Sequence, residues 1–568
     1  MLVDSRVFPA NHIVKTNVCI IGAGPAGITL ARELSKTSSH VVLLESGGKG
    51  RDPDVQKLNF SHTLDFEAQD VYLPAPRNRQ LGGNSNMWSI KIGRTDNQEW
   101  TYGLRYVPLD DTDFEERDWV SNSGWPISLE DLRPYYQKAH ELAHCGPLAY
   151  DASTWSQGQE QPVDWPGDIF TSKVFQFGPR EVFYHDYAEE LTQSQTVDIL
   201  LYATAIELET DADSPQIQRV RVSNLMGKTY WVEANFFVLA MGGIETTRLM
   251  LASNQRQLSG LGNEHDLLGR FLMDHPLVDL GNLYPSSLDT FARTTFYDLR
   301  QVKGHPIMGH LAFKKEAMIK HRLLNNSLML FPQPSLRQAR AIRALQELAE
   351  KGYLQRPIPQ NWPFIAKGLL EAIGGIDYLV LSAYISKIYG QGPLSTLFRG
   401  GWSEQPRTYG RFKRFEVMMM AEQAPNPTNR ITLNKEHDAL GMPGIDIRWE
   451  WGDVGRESAQ RTQDLFADAV EQSGLGVFKP IYRDGERYFR GHGASHPMGT
   501  TRMSLLPSQG VVNPDCRVHS VPNLYVASSS VFPTSGYANA TLTILALSLR
   551  LADHLKKELK SGQLLEVV

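Results

Sequence analysis

The stretch KTNVCIIGAGPAGITLARELSK, residues 15–36, decides the fold of this 568-residue chain. Residues 15–21 form a short apolar run of the kind found in buried parallel strands. The glycine-rich turn GAGPAG follows at 22–27, and the residues after it have the composition of a helix. A second apolar run, HVVLLE, begins at His40 and ends on Glu45. This order predicts a strand–helix–strand unit in a parallel sheet.

The glycine turn has the spacing of a dinucleotide-binding fingerprint. In that motif the first glycine allows a tight turn, the second lets the backbone approach a pyrophosphate, and the third lets helix and strand pack closely. The helix start adds N–H donors and the positive end of a dipole. Glu45 ends the strand that follows, at the place in the motif where an acid accepts hydrogen bonds from ribose hydroxyls. The predicted contacts are Gly22, Gly24, Pro25, Ala26, Gly27 and Glu45. A glycine-rich turn followed by a solvated glutamate is the alternative, and the turn alone also fits a nicotinamide cofactor.

Further pieces of the same sheet come from distant parts of the chain. WVEANFFVLAMGG at 231–243 is an apolar strand followed by a helix, NLYVASSS near the end is another strand, and a helix starts near Asn539. We therefore predict an α/β fold with a Rossmann-type domain built from discontinuous segments and an interleaved α+β domain for the substrate. The first comprises 1–95, 195–275 and 495–568; the second comprises 96–194 and 276–494.

Composition narrows the class of protein. Hydrophobic residues make up 41%, which is too many for a disordered chain. The formal charge is 57 − 63 = −6, so nothing in the charge points to nucleic acid or anionic lipid. The odd number and wide spacing of Cys19, Cys145 and Cys516 argue against a disulfide framework and against a cysteine metal site. We find no signal peptide or transmembrane segment and expect a cytoplasmic enzyme. No oligomeric state follows from the sequence.

Two segments of the predicted second domain have an unusual amino-acid composition. Residues 336–348 are amphipathic and rich in arginine, and 378–388 are apolar. Such segments dock a partner or a membrane surface in some proteins. The alternative is a pair of helices that cover the second domain.

Several long blocks toward the C-terminus identify a family resemblance. They are GHGASHPMGTTRM at 491–503 and the region 513–555, supported by LGGNSNMW at 81–88, GWPISLEDLRPYY at 124–136, LLGRFLMDHP at 267–276 and EQAPNPTNRITL at 422–433. With the N-terminal turn, these blocks resemble the glucose–methanol–choline (GMC) family of FAD oxidoreductases, in the family's order. The resemblance implies FAD as the cofactor and an FAD-binding Rossmann-type domain. Only 276–415 has little recognisable pattern, and that region usually decides substrate choice in the family.

The resemblance implies a catalytic pair, His496 in HPMGT and Asn539 in YANAT. Oxidation of an alcohol by hydride transfer to flavin N5 requires a base for the hydroxyl proton, and a neutral imidazole is suited to that near pH 7. A second polar group fixes the oxygen. Asparagine does not titrate, so His496 is expected to be the base and Asn539 the positioning residue.

The resemblance implies that the loop before Trp88 runs against the flavin ring. The matching positions are Gly82, Gly83, Asn84 and Ser85. Its glycines permit close approach, and the two polar side chains are candidates for hydrogen bonds near N5 or O4. Some sugar-oxidising members attach FAD through a histidine where this chain has Met87, so we expect FAD to be held non-covalently.

Other positions complete the expected cofactor site. We assign Ser46, Ala540 and Thr541 to it, although Ala540 replaces the family's usual proline. Ser528 stands where many members have aspartate, so no flavin contact is assigned to it. The helix that begins near Asn539 would direct its positive end toward the reduced ring.

Several other conspicuous side chains have simpler expected roles. His492 lies four residues before His496, and we expect a loop or supporting role for it. His275 and His519 are expected to make structural hydrogen bonds. Trp88 and Tyr537 are candidates for stacking against a pyranose ring, although buried aromatic residues more often belong to the core.

The leading prediction is an FAD-dependent oxidation of an alcohol, with a secondary hydroxyl of a sugar, glycoside or cyclitol as the substrate. Dioxygen or another electron acceptor would reoxidise the flavin. A non-redox FAD lyase, an enzyme acting on a specialised-metabolite alcohol, and a catalytically silent FAD-binding protein are the alternatives. A silent protein should have lost the base or the positioning residue, and both are present.

Overall fold

The computed structural model describes residues 1–59, 61–63, 71–72, 77–88, 90–94, 100–158, 160–210, 214–350, 358–389, 392–397, 400–404 and 406–561. Two large sheets organise this part of the chain, and each has helices packed on it. The α/β prediction is confirmed.

The first sheet contains the predicted strand–helix–strand unit. Its eight described strands are, across the sheet, Leu2–Asp4, Val197–Leu201, Val41–Leu44, Ile13–Ile21, Thr229–Leu239, Ile217–Ser223 and Thr204–Thr210, with Leu524–Val526 also paired to Thr229–Leu239. The strands from the start, middle and end of the chain are parallel to one another. The central ones are fully buried where they pair with each other, which explains their continuous apolar sequence.

The second sheet is mostly antiparallel. Its strands in order are Val71–Tyr72, Arg490–Gly493, Pro276–Pro285, Arg414–Met420, Ser327–Gln333, His305–Phe313, Phe170–Pro179, Trp100–Tyr106 and Ile90–Arg94, with Leu299–Val302 and Gly476–Pro480 attached. Two of its strands, Val71–Tyr72 and Ile90–Arg94, come from the segment 1–95 that the sequence assigns to the nucleotide domain. The division into two domains stays a prediction.

Two smaller sheets and the helices complete the described structure. The three-stranded sheet is Arg430–His437, Pro443–Arg448 and Ser61–Thr63, and the two-stranded one is Tyr482–Arg483 with Glu486–Arg487. The α-helices are Pro25–Leu34, Pro53–Gln56, Asp111–Phe114, Leu129–Leu142, Ala152–Trp155, Ala188–Thr192, Gly242–Ala252, Asp289–Arg293, Lys315–His321, Leu336–Glu350, Ile358–Gly374, Ile376–Tyr389, Asp453–Gln472 and Ala540–Ser561. None of these described helices combines the length and apolar character needed to cross a membrane.

The two unusual segments of the sequence form helices that pack on each other. Leu336–Glu350 and Ile376–Tyr389 share a small apolar core that includes Ile342 and Tyr378. Elsewhere on the second helix, Val380 is 68% exposed. The docking of a partner or membrane there stays a prediction.

Candidate active site

A cavity of about 570 Å³ is lined by residues of both large sheets. Its wall includes Ile21 and Leu44 from the first sheet, and Arg105 and Met420 from the second. Of the predicted site residues, those that line it are Gly22, Gly24, Pro25, Ala26, Glu45, Ser46, Gly83, Asn84, His496, Asn539, Ala540 and Thr541. Gly27, Gly82 and Ser85 are not part of the lining. Segments near the two ends of the chain therefore meet in one cavity.

The glycine turn fits close approach of a dinucleotide. Gly22 has φ 107°, and a Cβ there would lie 2.7 Å from the Ala240 carbonyl oxygen. A Cβ on Gly27 would lie 1.9 Å from the Gly22 carbonyl oxygen, whereas one on Gly24 would meet no atom within 4 Å. Helix Pro25–Leu34 has no side-chain cap at Gly24, so its first N–H groups are available to an anion.

Glu45 supports the same turn. It is 5% exposed; its Oε2 accepts a hydrogen bond from the Ala23 N–H at 3.2 Å, and Oε1 accepts one from the Gly47 N–H at 2.8 Å. Burial raises its pKa, and the two N–H groups act in the opposite direction. A carboxylate has lone pairs left for ribose hydroxyls after these two bonds. Next to it, Ser46 Oγ lies 2.8 Å from Thr204 Oγ1.

The second glycine-rich loop touches the first. The Gly82 N–H donates to the Ala23 carbonyl at 2.8 Å, and a Cβ on Gly83 would lie 3.2 Å from Gly24 Cα. The fully buried Ser85 hydroxyl donates to the Gly82 carbonyl at 2.6 Å, so this side chain supports the loop. Asn84 and the half-exposed Met87 line the cavity.

Two arginines beside the cavity have no counterpart among the sequence-based predictions. Arg79 Nη2 donates to Glu245 Oε2 at 2.6 Å, Arg77 is paired with the same carboxylate, and Arg79 Nη1 reaches Ser46 Oγ at 3.0 Å. Burial acts to raise the pKa of Glu245, but the charges of Arg79 and Arg77 hold it at about 2. All three side chains line the cavity near Glu45 and the glycine turn, and the two arginines outnumber the glutamate, so the group could hold a phosphate. Glu245 lies 166 residues from Arg79 along the chain, so no local sequence pattern could predict this arginine–glutamate cluster.

His496 and Asn539 meet at the cavity wall. His496 Nε2 lies 3.3 Å from Asn539 Nδ2, and Oδ1 of that amide has no hydrogen-bond partner among the described residues. The other ring nitrogen of His496, Nδ1, lies 2.9 Å from His275 Nδ1. His275 is thus in direct contact with the predicted base, a closer association than the structural role expected from sequence.

Electrostatics keep both imidazoles neutral. Burial, followed by the unfavourable interaction with a protonated His275 and the charge of Arg105, holds the pKa of His496 well below its usual 6.5. Burial and the charge of Arg105 lower the pKa of His275 to about 4, while the peptide groups of Gly536 and Ser535 oppose this. A neutral imidazole is the form that accepts a proton.

Asp274 fixes the loop that carries His496. Its Oδ1 accepts the N–H groups of His275 at 2.7 Å and His496 at 2.9 Å, and its Oδ2 accepts that of Ser495 at 3.0 Å. Ser495 has a left-handed φ of 67°, which an L-residue adopts only when its surroundings hold it. Burial raises the pKa of Asp274 to about 7, against the effect of these N–H groups. Sequence reasoning did not single out this residue, although it stands directly before His275.

Of the other side chains singled out from the sequence, some line the cavity and others lie in the buried core. His492, Trp88 and Ser528 line the cavity, and His492 Nδ1 lies 2.8 Å from the Gly493 carbonyl. Tyr537 is 2% exposed, packs against His310 and is not part of the lining, so it does not stack on a ligand in this cavity. His519 lies near Ser504, at 3.5 Å from its Oγ.

Comparison with known proteins places this arrangement in a family. A model of the GMC oxidoreductase family matches residues 425–548. The chain is 34% identical to 6'''-hydroxyparomomycin C oxidase of Streptomyces lividus over 95% of this chain and 92% of that one. It is 24% identical to the fructose dehydrogenase large subunit of Gluconobacter japonicus over 97% of this chain and 100% of that one. An FAD-dependent oxidoreductase from Chaetomium thermophilum has a similar fold, with a TM-score of 0.50, 17% identity, and coverage of 96% and 100%.

The chain belongs to the GMC oxidoreductase family, as its sequence resemblance indicates. It is an FAD-dependent oxidoreductase that acts on CH–OH donors, within a family of alcohol and sugar oxidases and dehydrogenases.

Proposed function

We propose that this enzyme oxidises a secondary hydroxyl of a sugar, glycoside or cyclitol, with His496 as the base and Asn539 as the positioning residue. The observation that carries the proposal is the 3.3 Å approach of His496 Nε2 to Asn539 Nδ2 at the wall of the cavity that the glycine turn also lines. One nitrogen able to accept a proton stands there beside one amide able to hold an oxygen.

The proposed role as base assigns the proton on His496. A base must present an unprotonated nitrogen to the substrate hydroxyl, so Nε2 carries no hydrogen and Nδ1 carries one. The Nδ1–H then donates to His275 Nδ1, which requires His275 to carry its own hydrogen on Nε2. The Asn539 amide group donates to Nε2 in the resting state and is free to turn to the substrate oxygen when the hydroxyl arrives.

Bound FAD would supply the acceptor for the hydride, and the residues of the chain would bind the cofactor, orient the alcohol and take its proton. The turn at 22–27, Arg77 and Arg79 hold the phosphates, and Glu45 holds a ribose. As the carbonyl forms, the hydroxyl proton passes to His496 Nε2, so one hydride and one proton leave the alcohol together. The positive end of helix Ala540–Ser561 favours negative charge beside Asn539.

FAD is held without a covalent bond in this proposal. The support is Met87, which stands in the cavity wall where some sugar-oxidising members have the linking histidine. Acid precipitation of the holoenzyme should therefore release all of the yellow chromophore into the supernatant. Colour that stays with the precipitated protein would contradict a purely non-covalent attachment.

Relatives support the substrate class. Fructose dehydrogenase and 6'''-hydroxyparomomycin C oxidase carry sugar-related substrates in their names, and a relative from Mycolicibacterium austroafricanum is a 2-methyl-1,2-propanediol dehydrogenase. An anaerobic absorbance scan against sugars, glycosides, polyols and simple alcohols tests the class, because an oxidised substrate bleaches the flavin band. If no compound bleached it, either a specialised-metabolite alcohol outside the panel or the lyase alternative would replace the proposal. Admission of air then separates dioxygen from other electron acceptors.

A pair of histidine variants tests the base. His496→Ala should slow flavin reduction by about 10²–10⁴-fold, the effect expected when a general base is lost. His492→Ala, four residues earlier on strand Arg490–Gly493 and in the same cavity wall, is the matched control and should reduce the rate little. Stopped-flow reduction under anaerobic conditions measures both. Near-normal reduction in the first variant would remove His496 from the mechanism.

A further inference from the structure

Arg105 is a buried cation in the cavity wall without a counter-ion among the described residues. It lies on strand Trp100–Tyr106, is 2% exposed, and lines the same cavity as His496 and Asn539. Within the described chain, its one hydrogen bond runs from Nη1 to the Met329 sulfur at 3.3 Å, and it forms no ion pair there. Its guanidinium carbon stands 4.5 Å from the centre of the Phe175 ring. A thioether and an aromatic ring satisfy a guanidinium poorly.

Two other buried arginines of this chain are paired with carboxylates, and a third, Arg502, donates to the backbone carbonyls of Pro533 and Asn122. Arg117 is 5% exposed and forms a bidentate pair with the fully buried Glu422. Arg248 is fully buried and donates to Asp438 at 2.8 Å. Proteins keep buried charges paired because an isolated one is costly. The contrast with Arg105 therefore points to a partner beyond the described residues, which a ligand in the cavity would supply.

The position of Arg105 indicates what kind of partner that is. It lines the same cavity as His496 and Asn539, so it shares the space around the proposed reacting centre. Its nearest side chains, Met329 and Phe175, belong to the second sheet, whereas the nucleotide-binding turn belongs to the first. A ligand group that meets Arg105 is thus on the substrate rather than on the nucleotide. The guanidinium of Arg105 is a planar fork of N–H donors with one positive charge, so it complements a carboxylate in shape and in charge.

We propose that Arg105 binds a carboxylate of the substrate, so that the enzyme oxidises a hydroxyl of an acidic sugar or another hydroxy acid. This inference rests on the proposed function of the site and narrows its substrate class. The carboxylate would be fixed by Arg105 while the hydroxyl to be oxidised lies between His496 and Asn539. Specificity follows from charge, because a neutral analogue leaves the buried guanidinium unpaired.

Binding to the oxidised holoenzyme under anaerobic conditions tests the proposal through the perturbation of the flavin spectrum. Two matched pairs of probes differ chiefly in charge: methyl glucuronide against methyl glucoside, and acetate against acetamide. The carboxylate of each pair should bind about 10- to 100-fold more tightly, the range for a hydrogen bond to a charged group in a buried site. Arg105→Met should abolish that difference, and Arg105→Lys should retain part of it. Equal binding of the two members of both pairs in the wild-type protein would overturn the proposal.

Two further measurements distinguish carboxylate binding by Arg105 from a structural role and from failure of the proposed oxidation. In the ligand-free protein, Arg105→Met should keep or raise the melting temperature, because it removes a buried charge and leaves a side chain of similar length beside Met329. A fall in melting temperature together with equal weakening of charged and neutral probes would make Arg105 a structural residue. Failure of every alcohol to bleach the flavin would reject the proposed oxidation, whereas the charge preference in binding would still be measured.

Discussion

The two ring nitrogens of His496 have different neighbours, and this difference determines what the residue can do. Nδ1 faces His275 and Nε2 faces Asn539, so in the proposed mechanism Nδ1 carries the fixed proton and Nε2 receives one. The low pKa of His496 follows from burial among groups that carry or can acquire positive charge. At the residue scale, the site is prepared by contacts that keep a base neutral and oriented.

The acid side of the pH profile should reflect that low pKa. Because protonation of His496 begins only well below pH 6.5, the rate of flavin reduction should stay level as the pH falls through 6.5 and decline at lower values. Anaerobic stopped-flow reduction across this range measures it. An inflection at 6.5 would mean that the base titrates like an exposed histidine.

The pH dependence of stability should reveal His275. Its pKa is about 4 in the folded protein against an ordinary value of 6.5, so the unfolded chain takes up a proton first as the pH falls. The contribution of His275 to the free energy of unfolding is fully present above pH 6.5 and is lost as the pH falls toward 4. The loss amounts to about 3 kcal/mol for this one group. Chemical denaturation of wild type and His275→Gln at pH 7.5 and 4.5 gives the difference, which should shrink in the variant.

Asn539 should act on the reaction rather than on the fold. Its Oδ1 has no partner among the described residues, so Asn539→Ala removes few internal contacts. We expect flavin reduction to slow by about 10- to 1,000-fold, the loss of one positioned hydrogen-bonding group. Melting temperature and FAD content serve as the controls. A variant that lost stability and kept its reduction rate would show Asn539 to be a helix cap.

At the scale of elements, the glycine turn and the Asp274 loop were not equally predictable. The turn lies within one strand–helix–strand unit, so its spacing predicts both the structure and the cavity it lines. Asp274 acts through peptide groups of Ser495 and His496, which are 221 and 222 residues away along the chain. The pairing of Arg79 with Glu245 is equally non-local. Contacts of this kind depend on tertiary packing, which leaves no periodic signal in the sequence.

Two glycines of the turn offer a matched pair of substitutions. Gly24→Ala places a methyl group where no atom lies within 4 Å, at the cavity wall, so FAD content should fall while the fold persists. Gly27→Ala drives a methyl group against the Gly22 carbonyl, so it should lower the melting temperature of the apoprotein. Flavin absorbance per protein and thermal unfolding of both apoproteins distinguish the effects. Equal destabilisation by both changes would contradict the separate roles.

On the scale of the whole molecule, the site depends on two sheets that the chain visits repeatedly. The strand–helix–strand unit, the α/β class and the approach of His496 to Asn539 follow from sequence blocks that resemble one family. The membership of Val71–Tyr72 and Ile90–Arg94 in the second sheet does not, because that sheet is assembled from strands far along the chain. Arg105 gave no signal either, since a single arginine in a strand becomes informative only once its neighbours are known.

The Arg117–Glu422 pair should matter for the stability of the whole molecule. It joins segments 305 residues apart, and Glu422 Oε2 also accepts the Asn325 N–H at 2.8 Å. Glu422→Gln leaves Arg117 buried without its counter-ion and should lower the free energy of unfolding by about 3–5 kcal/mol. Glu130→Gln, which removes an exposed ion pair with Arg133, is the control and should cost under about 1 kcal/mol. Denaturant titration compares the two variants.

The strand Leu524–Val526 joins the first sheet beside Thr229–Leu239, and His496 and Asn539 flank it in the chain. A ribosome therefore makes the nucleotide-binding turn long before it makes the base and the positioning residue. A nascent or truncated polypeptide that ends before His496 contains the turn but not the proposed proton acceptor. Under the proposed mechanism, efficient alcohol oxidation is thus confined to chains whose synthesis has passed this strand.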